Sequence, residues 1–289
     1  MMLAQAEFIP RMPLDDWIES AVDFITETFS GLFDVIQFVV NALVESLTFV
    51  TTTPPALVVI AIFTVLAYFL AGWRMSLFTL VGLVFMISID LWNEAMLTLA
   101  LVIASTTVAL AIGIPIGILA AQYRGVEVTV RPVLDLMQTM PAFVYLIPAI
   151  AWFGLGGVPG LIATVIFAMP PAVRLTLLGI QQVPEETVEA AQAFGSTPLQ
   201  TLVKVELPQA FKTIMAGVNQ VIMLAFSMVV VAALIGAPGL GREVVIGLTQ
   251  ADVGTGFVGG IGIVVMAIIL DRLTRSIGES NVPKMMKGG

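Results

Sequence analysis

The 289-residue sequence contains no cysteine and no histidine. Without cysteine there is no disulfide framework and no thiolate metal site. Without histidine the usual metal ligand is missing, and so is the side chain that most often moves protons near neutral pH. Charge is scarce as well, at 11% of residues, against about 25% in soluble domains. The net charge of −8 excludes a basic nucleic-acid-binding face. The phosphate-cradling pattern G-x-x-x-x-G-K-[ST] occurs nowhere, so this chain carries no ATP-binding loop of that kind. The opening residues, MMLAQAEFIPRMP, lack the basic stretch and apolar run of a cleavable signal peptide.

What is present is hydrophobicity. Apolar residues make up 58% of the chain and the mean hydropathy is +1.04, which places it in the membrane. The expected fold is all-α and polytopic, with about seven transmembrane helices after an N-terminal amphipathic helix. That helix covers 14–50, with Gly31 as a place where it can break. Asp16, Glu19, Asp23, Glu27, Asp34 and Glu45 line one face at steps of three and four, opposite Leu14, Ile18, Ile25, Phe33, Val40 and Leu47. A helix so charged is too polar to span, and reads as lying on the membrane surface or against the rest of the protein. Thr51 to Pro55 end it. Spans are expected at 56–73, 75–91, 95–121, 136–154, 157–178, 211–235 and 255–273. The third contains Gly113-x-x-x-Gly117, a small-residue pattern for close helix packing.

The longest polar island runs from Val183 to Ala210. Pro184 suits the first turn of a helix, and Glu185, Glu186 and Glu189 lie where the helix dipole favours negative charge. Gly195 is a natural C-terminal stop. Ser196 or Thr197 can cap a second helix with Pro198 just inside it, and Pro208 opens the next segment. Placing this island in the cytoplasm puts ten of the twelve basic residues inside, all but Arg11 and Arg242, in agreement with the positive-inside rule. The amino terminus is then outside and the carboxyl terminus inside.

Glu189-Ala190-Ala191, then Gly195, then Val205-x-Leu207-Pro208 resembles the EAA motif of ABC-importer permeases of the type I fold, with Val205 where isoleucine is usual. Gln138–Pro148, Pro170–Thr176, Gly236–Gly241 and Ile269–Leu273 resemble one branch, the glycine betaine/proline betaine osmoprotectant permeases. The likeness covers 91–277. The expected division is an outside amphipathic tail (1–53), two first spans (54–92), a permease core (93–277) with its coupling loop at 179–210, and a cytoplasmic tail (278–289), the core being the part the resemblance covers. The resemblance also implies a bacterial or archaeal cytoplasmic membrane. A separate ATPase would seat Glu189, Ala190, Ala191 and Gly195 in its cleft, with Leu207 and Pro208 closing the motif. ATP and magnesium would belong to that ATPase, and this chain would bind no cofactor and perform no covalent chemistry. A second copy of the chain, a separate solute-binding protein and the lipid bilayer complete the implied partners.

Polar residues inside spans prefer a protein interior or a water-filled cavity. Gln138, Thr139 and Tyr145 in the fourth span and Asn219 and Ser227 in the sixth are therefore the candidate translocation path. Each has a structural alternative, as a helix-bonded hydroxyl or an amide between helices. Phe143, Tyr145, Trp152 and Phe153 are the aromatics available to a quaternary amine, but they form no cluster in sequence. Transport of another small solute, such as an amino acid, fits the same residues. An ion-coupled carrier fits less well, because Asp90, Glu94, Asp135 and Asp271 fall at span ends. A scaffold subunit with no pathway is the remaining reading.

Overall fold

The computed structural model describes residues 12–280, and every regular element among them is helical. The expectations for the extreme amino terminus and for 281–289 lie outside the described residues.

The N-terminal stripe is two helices, α1 (Leu14–Thr28) and α2 (Ser30–Thr52), broken at Phe29. The acids divide unequally between them. Asp15, Asp16, Glu19, Asp23 and Glu27 fall in α1, while α2 holds only Asp34 and Glu45. So α1 buries nothing, whereas α2 is long and apolar enough to cross a membrane. The expectation that the whole stretch is too polar to span is corrected for α2. Averaging charge over both helices hid the difference.

Two short apolar helices follow, α3 (Ala56–Ala71) and α4 (Trp73–Ser88), joined at Gly72, whose φ is +85°. Only glycine adopts that angle without strain. Ser76 Oγ donates to the Thr64 carbonyl at 2.9 Å and ties the hairpin together. With 16 residues each, they rise about 24 Å, less than the roughly 30 Å hydrocarbon core. Four of the seven expected spans are single long helices: α5 (Trp92–Gln122), α8 (Gly157–Gln181), α11 (Leu207–Ala233) and α13 (Val253–Ser280). A fifth is broken. α6 (Arg124–Thr139) and α7 (Ala142–Phe153) meet at 100° across Met140-Pro141. Pro141 disfavours helical backbone at the residue before it, and Met140 is extended, at φ −72° and ψ 136°.

The core forms where α5, α8 and α11 meet, and glycine sets how closely. A Cβ on Gly117 would lie 2.6 Å from Thr176 Cβ and 2.7 Å from the Val173 carbonyl. One on Gly113 would lie 2.8 Å from Ala172 Cβ. Gly179 and Gly217 sit somewhat less tightly between α8 and α11, with nearest atoms at 3.0 and 3.1 Å. The expected packing role of Gly113 and Gly117 is met across the α5–α8 seam. α2 lies against this core through buried Val40. Its Phe33 stacks on Trp152 at 4.9 Å and meets Phe153 edge-on at 5.5 Å.

The exposed faces differ in kind. On α3, α4 and α13 they carry Leu57, Ile62, Phe69, Leu77, Val81, Phe257 and Val264. On α6 and α11 they mix Gln138, Thr139, Gln220 and Ser227 with Val133, Leu136 and Met223. The first suits lipid acyl chains. The second requires water or protein opposite it.

Candidate functional site: the coupling loop and the polar face

The polar island folds as α9 (Glu185–Ala193), a turn, and α10 (Pro198–Thr201). Pro184 immediately precedes α9, whose first turn carries Glu185 and Glu186. The C-terminus closes as a Schellman motif: Ser196 N–H donates to the Ala191 carbonyl at 3.1 Å, and Gly195 N–H to the Gln192 carbonyl at 2.8 Å. Gly195 has φ +83°, with no atom within 4 Å of a built Cβ. Glycine is needed there for its backbone, not for space. Thr197 starts α10 with a full capping box: Gln200 N–H donates to Thr197 Oγ1, and Thr197 N–H donates to Gln200 Oε1 at 3.0 Å.

The second short helix does not stop before Pro208. A π-helical turn, Leu202–Glu206, follows α10, and α11 continues from it, so 198–233 is one helical run. Pro208 lacks an N–H and crowds the carbonyl four residues earlier. A wider turn just before it relieves both problems. Gln122 Nε2, at the end of α5, donates to Glu206 Oε2 in this turn at 2.9 Å.

α9 buries no residue, and Glu189 and Ala190 are exposed with Ala191 half-buried. Leu207 is half-buried and Pro208 exposed at the head of α11. Sequence reasoning passed over two apolar side chains here. Phe194 is 93% exposed and Leu199 70%. The signal lay in the sequence, as two large apolar residues inside a polar island beside a conformationally required glycine. Both are large apolar side chains on a loop fixed by its caps.

The structure divides the path candidates. Gln138, Thr139 and Ser227 are exposed and Asn219 is half-buried. Tyr145 is 7% exposed, and its hydroxyl donates to the Met137 carbonyl at 2.7 Å. It braces the α6–α7 bend from inside. The hydroxyls of Thr139 and Ser227 bond to carbonyls of their own helices. Asn219 Oδ1 is buried without a partner. Arg174 of α8 pairs with Asp135 of α6, adding a charge pair to the polar face. The aromatics form no open cage, because Trp152 and Phe153 are taken up by Phe33 of α2.

At the other end of the bundle, the stretch between α11 and α13 contains a ten-residue helix, α12 (Leu240–Thr249). Leu240 N–H donates to Thr98 Oγ1 at 2.8 Å, which fastens this segment to α5. Arg242 is exposed and makes no ion pair with Glu243 among the described residues. Asp252 caps α13, accepting from Thr255 Oγ1 at 2.8 Å and Thr255 N–H at 3.2 Å. These bonds, the hydroxyl's first, hold its carboxyl below the usual range. Near the far end of α13, Asp271 is buried and bound by Arg275 Nε at 3.0 Å, so although it falls at a span end it is an internal partner. Arg272 beside it is exposed.

Among the described residues no cluster of acids could hold a metal ion. A polytopic helical chain with a capped, protruding loop between two core spans is the architecture of an ABC-importer permease. The chain belongs to the family described as "Binding-protein-dependent transport system inner membrane component", whose profile matches residues 113–282. It is 51% identical to the glycine betaine transport system permease protein OpuAB of Bacillus subtilis, over 93% of this chain and 95% of that one. It is 50% identical to the glycine betaine/carnitine transport permease protein GbuB of Listeria monocytogenes, over 94% and 97%. It is 45% identical to the glycine betaine/proline betaine transport system permease protein ProW of Escherichia coli, over 93% and 76%. A solved inward-facing MetNI methionine ABC transporter shares the fold at TM-score 0.56 and 20% identity, over 64% of this chain and 93% of that one.

Proposed function

We propose that this permease imports a quaternary-amine osmoprotectant such as glycine betaine or proline betaine. It works as a homodimer with two copies of a separate ATPase, which holds ATP and magnesium, and receives substrate from a separate solute-binding protein. The coupling loop and the carboxyl terminus face the cytoplasm. The observation that carries this reading is the capped loop with Phe194 and Leu199 held into solvent. A rigid knob that protrudes from two core spans converts displacement of a partner into displacement of those spans. Glu189, Ala190, Ala191 and Gly195 belong to it. Two alanines in succession let a partner surface approach closely.

The polar face of α6 and α11 supports a path between two copies, lined by Gln138, Thr139, Asn219 and Ser227. The substrate assignment is supported by the names of the relatives at 45–51% identity. The test is uptake of radiolabelled glycine betaine into proteoliposomes holding this chain, its cognate ATPase and its binding protein, with ATP on the cytoplasmic side. ATP-dependent accumulation against a gradient is the expected result. Accumulation driven by an ion gradient alone would overturn the mechanism. Stimulation of ATP hydrolysis by an amino acid, with no betaine uptake, would overturn the substrate.

A further inference from the structure

One helix of the core, α6, is seated loosely. The residues that bound it are not helical: Tyr123 is extended at φ −126° and ψ 109°, and Met140 at φ −72° and ψ 136°. Only Leu134 and Met137 of α6 are buried, and they meet Val173 of α8. Beside that seat lies a groove of about 350 Å³ between α6 and α8. Its polar walls are Glu127, Arg131 and Asp135 of α6 and Arg174 and Gln181 of α8.

Two side-chain ties cross from helix to helix. Arg174 Nη2 pairs with Asp135 Oδ1 at 2.5 Å. Gln181 Nε2 donates to Glu127 Oε1 at 3.4 Å, and the same oxygen engages Arg131. Residues 127 and 135 are about 12 Å apart along α6, and residues 174 and 181 about 10 Å apart along α8. The ties therefore join antiparallel helices at matched heights. Pro132 falls between them and removes one backbone bond from α6, so a tie on each side keeps that helix in one piece. α8, by contrast, is fixed. Close approach at Gly113, Gly117, Gly179 and Gly217 holds it to α5 and α11, and only residues 182–184 separate it from α9. Arg174 lies about 10 Å inside the loop end of α8, a costly place for a cation. Apolar side chains of similar volume would seat α6 at less cost. A charge pair instead fixes one register between the two helices.

Gln138 and Thr139 stand one turn beyond Asp135, on the same side of α6. We infer that α6 moves with α8 as one body, and that Asp135 and Arg174 are the positioning residues that carry displacement of the coupling loop to the path-lining end of α6. The inference rests on the coupling reading of the loop and names the connection from loop to path. Without the pair, the groove absorbs the displacement. α8 shifts, α6 lags behind it, and ATP is hydrolysed without import.

The test measures glycine betaine uptake and phosphate release together, in proteoliposomes holding this chain, its ATPase and its binding protein, with melting of the purified chain alongside. Asp135→Ala and Arg174→Ala should each lower uptake per ATP by up to about fivefold, the factor an exposed ion pair at the upper end of its usual range supplies. The double variant should do no worse than either single one, because all three remove the same contact. The reversed pair, Asp135→Arg/Arg174→Asp, should recover part of the ratio. Melting should shift by about two degrees or less. The chain has no cysteine, so Val130→Cys/Leu177→Cys, both on the walls of the groove, can be bridged by a short bis-maleimide before assembly. Bridging should leave uptake intact, and should restore the ratio in the Asp135→Ala background. An unchanged ratio in the single variants would overturn the inference, as would loss of uptake on bridging an otherwise active complex. A fall in melting temperature and hydrolysis together, at unchanged uptake per ATP, would overturn it as well and assign the pair to folding alone. Import by the unaltered complex that needs no ATP would instead overturn the coupling reading on which it rests.

Discussion

Gln122, the last residue of α5, is hydrogen-bonded to Glu206, 84 positions later, in the π-helical turn that leads into α11. The bond joins the first core span to the strand of structure that carries the coupling loop. It is exposed, so its contribution to stability is about 1 kcal/mol or less. Gln122→Ala is therefore expected to leave the melting temperature within a degree or two. If the bond transmits loop movement, uptake per ATP hydrolysed should fall severalfold while hydrolysis continues. Paired uptake and phosphate-release assays check this, and an unchanged ratio would assign the bond a passive role.

Phe194→Ala should leave the purified chain as stable as before, because a side chain 93% exposed contributes no burial to its own fold. Copurification with the ATPase should drop at least about tenfold, in line with the loss of an interface anchor. Pull-down at matched expression reads this directly. Full retention of the ATPase would remove Phe194 from the contact.

Gly195→Ala meets no clash, since nothing lies within 4 Å, but it must hold φ near +83°. The strain is about 1–2 kcal/mol, and asparagine, which tolerates that region better, should cost less. ATP-driven uptake ordered Gly, then Asn, then Ala is the expected outcome. Equal uptake in all three would show that the turn relaxes freely.

Gly117→Ala should destabilise the fold. Its new methyl would press on Thr176 and on the Val173 carbonyl, which is backbone and cannot rotate away. Overpacking of this kind costs about 1–3 kcal/mol. Thermal unfolding in detergent should fall by several degrees, while Gly125→Ala, facing open space, should not change it.

Asp252 supplies a pH prediction outside the membrane. Its carboxyl is held below the usual range by the Thr255 hydroxyl and N–H. The cap therefore stabilises the head of α13 fully above the ordinary carboxylate range. That stabilisation is lost as pH falls through the lowered value, where the folded carboxylate protonates. The melting difference between the unaltered chain and Asp252→Ala should be constant near neutrality and shrink on acidification. A difference that grows as pH falls would contradict the sign.

Elements that depend on local sequence were legible before the structure. The Schellman close at Gly195 and the cap at Thr197 follow from residue types that admit few other uses. The α5–α8 seam followed from Gly113 and Gly117. Relationships between distant residues were not legible. Nothing local says that Phe33 reaches Trp152 and occupies the aromatics a quaternary amine would use, or that Tyr145 turns inward to brace a bend. A break near Gly31 was open to the sequence reading, and it falls at Phe29; the unequal division of acids was not seen, because a continuous polar stripe can cross a helix boundary without losing its period. Burial of Asp271 was missed because an acid at a span end reads as interfacial until its partner one turn away is seen to cover it.

The division of exposed surface into an apolar side and a polar side has a bearing on how the protein is made and kept. A newly inserted copy with nothing over α6 and α11 presents Gln138, Gln220, Ser227 and the Asp135–Arg174 pair to lipid, which bilayers accept poorly. Such a copy carries a mark of incompleteness that disappears on assembly. Covering those groups therefore contributes free energy to any assembly that buries them.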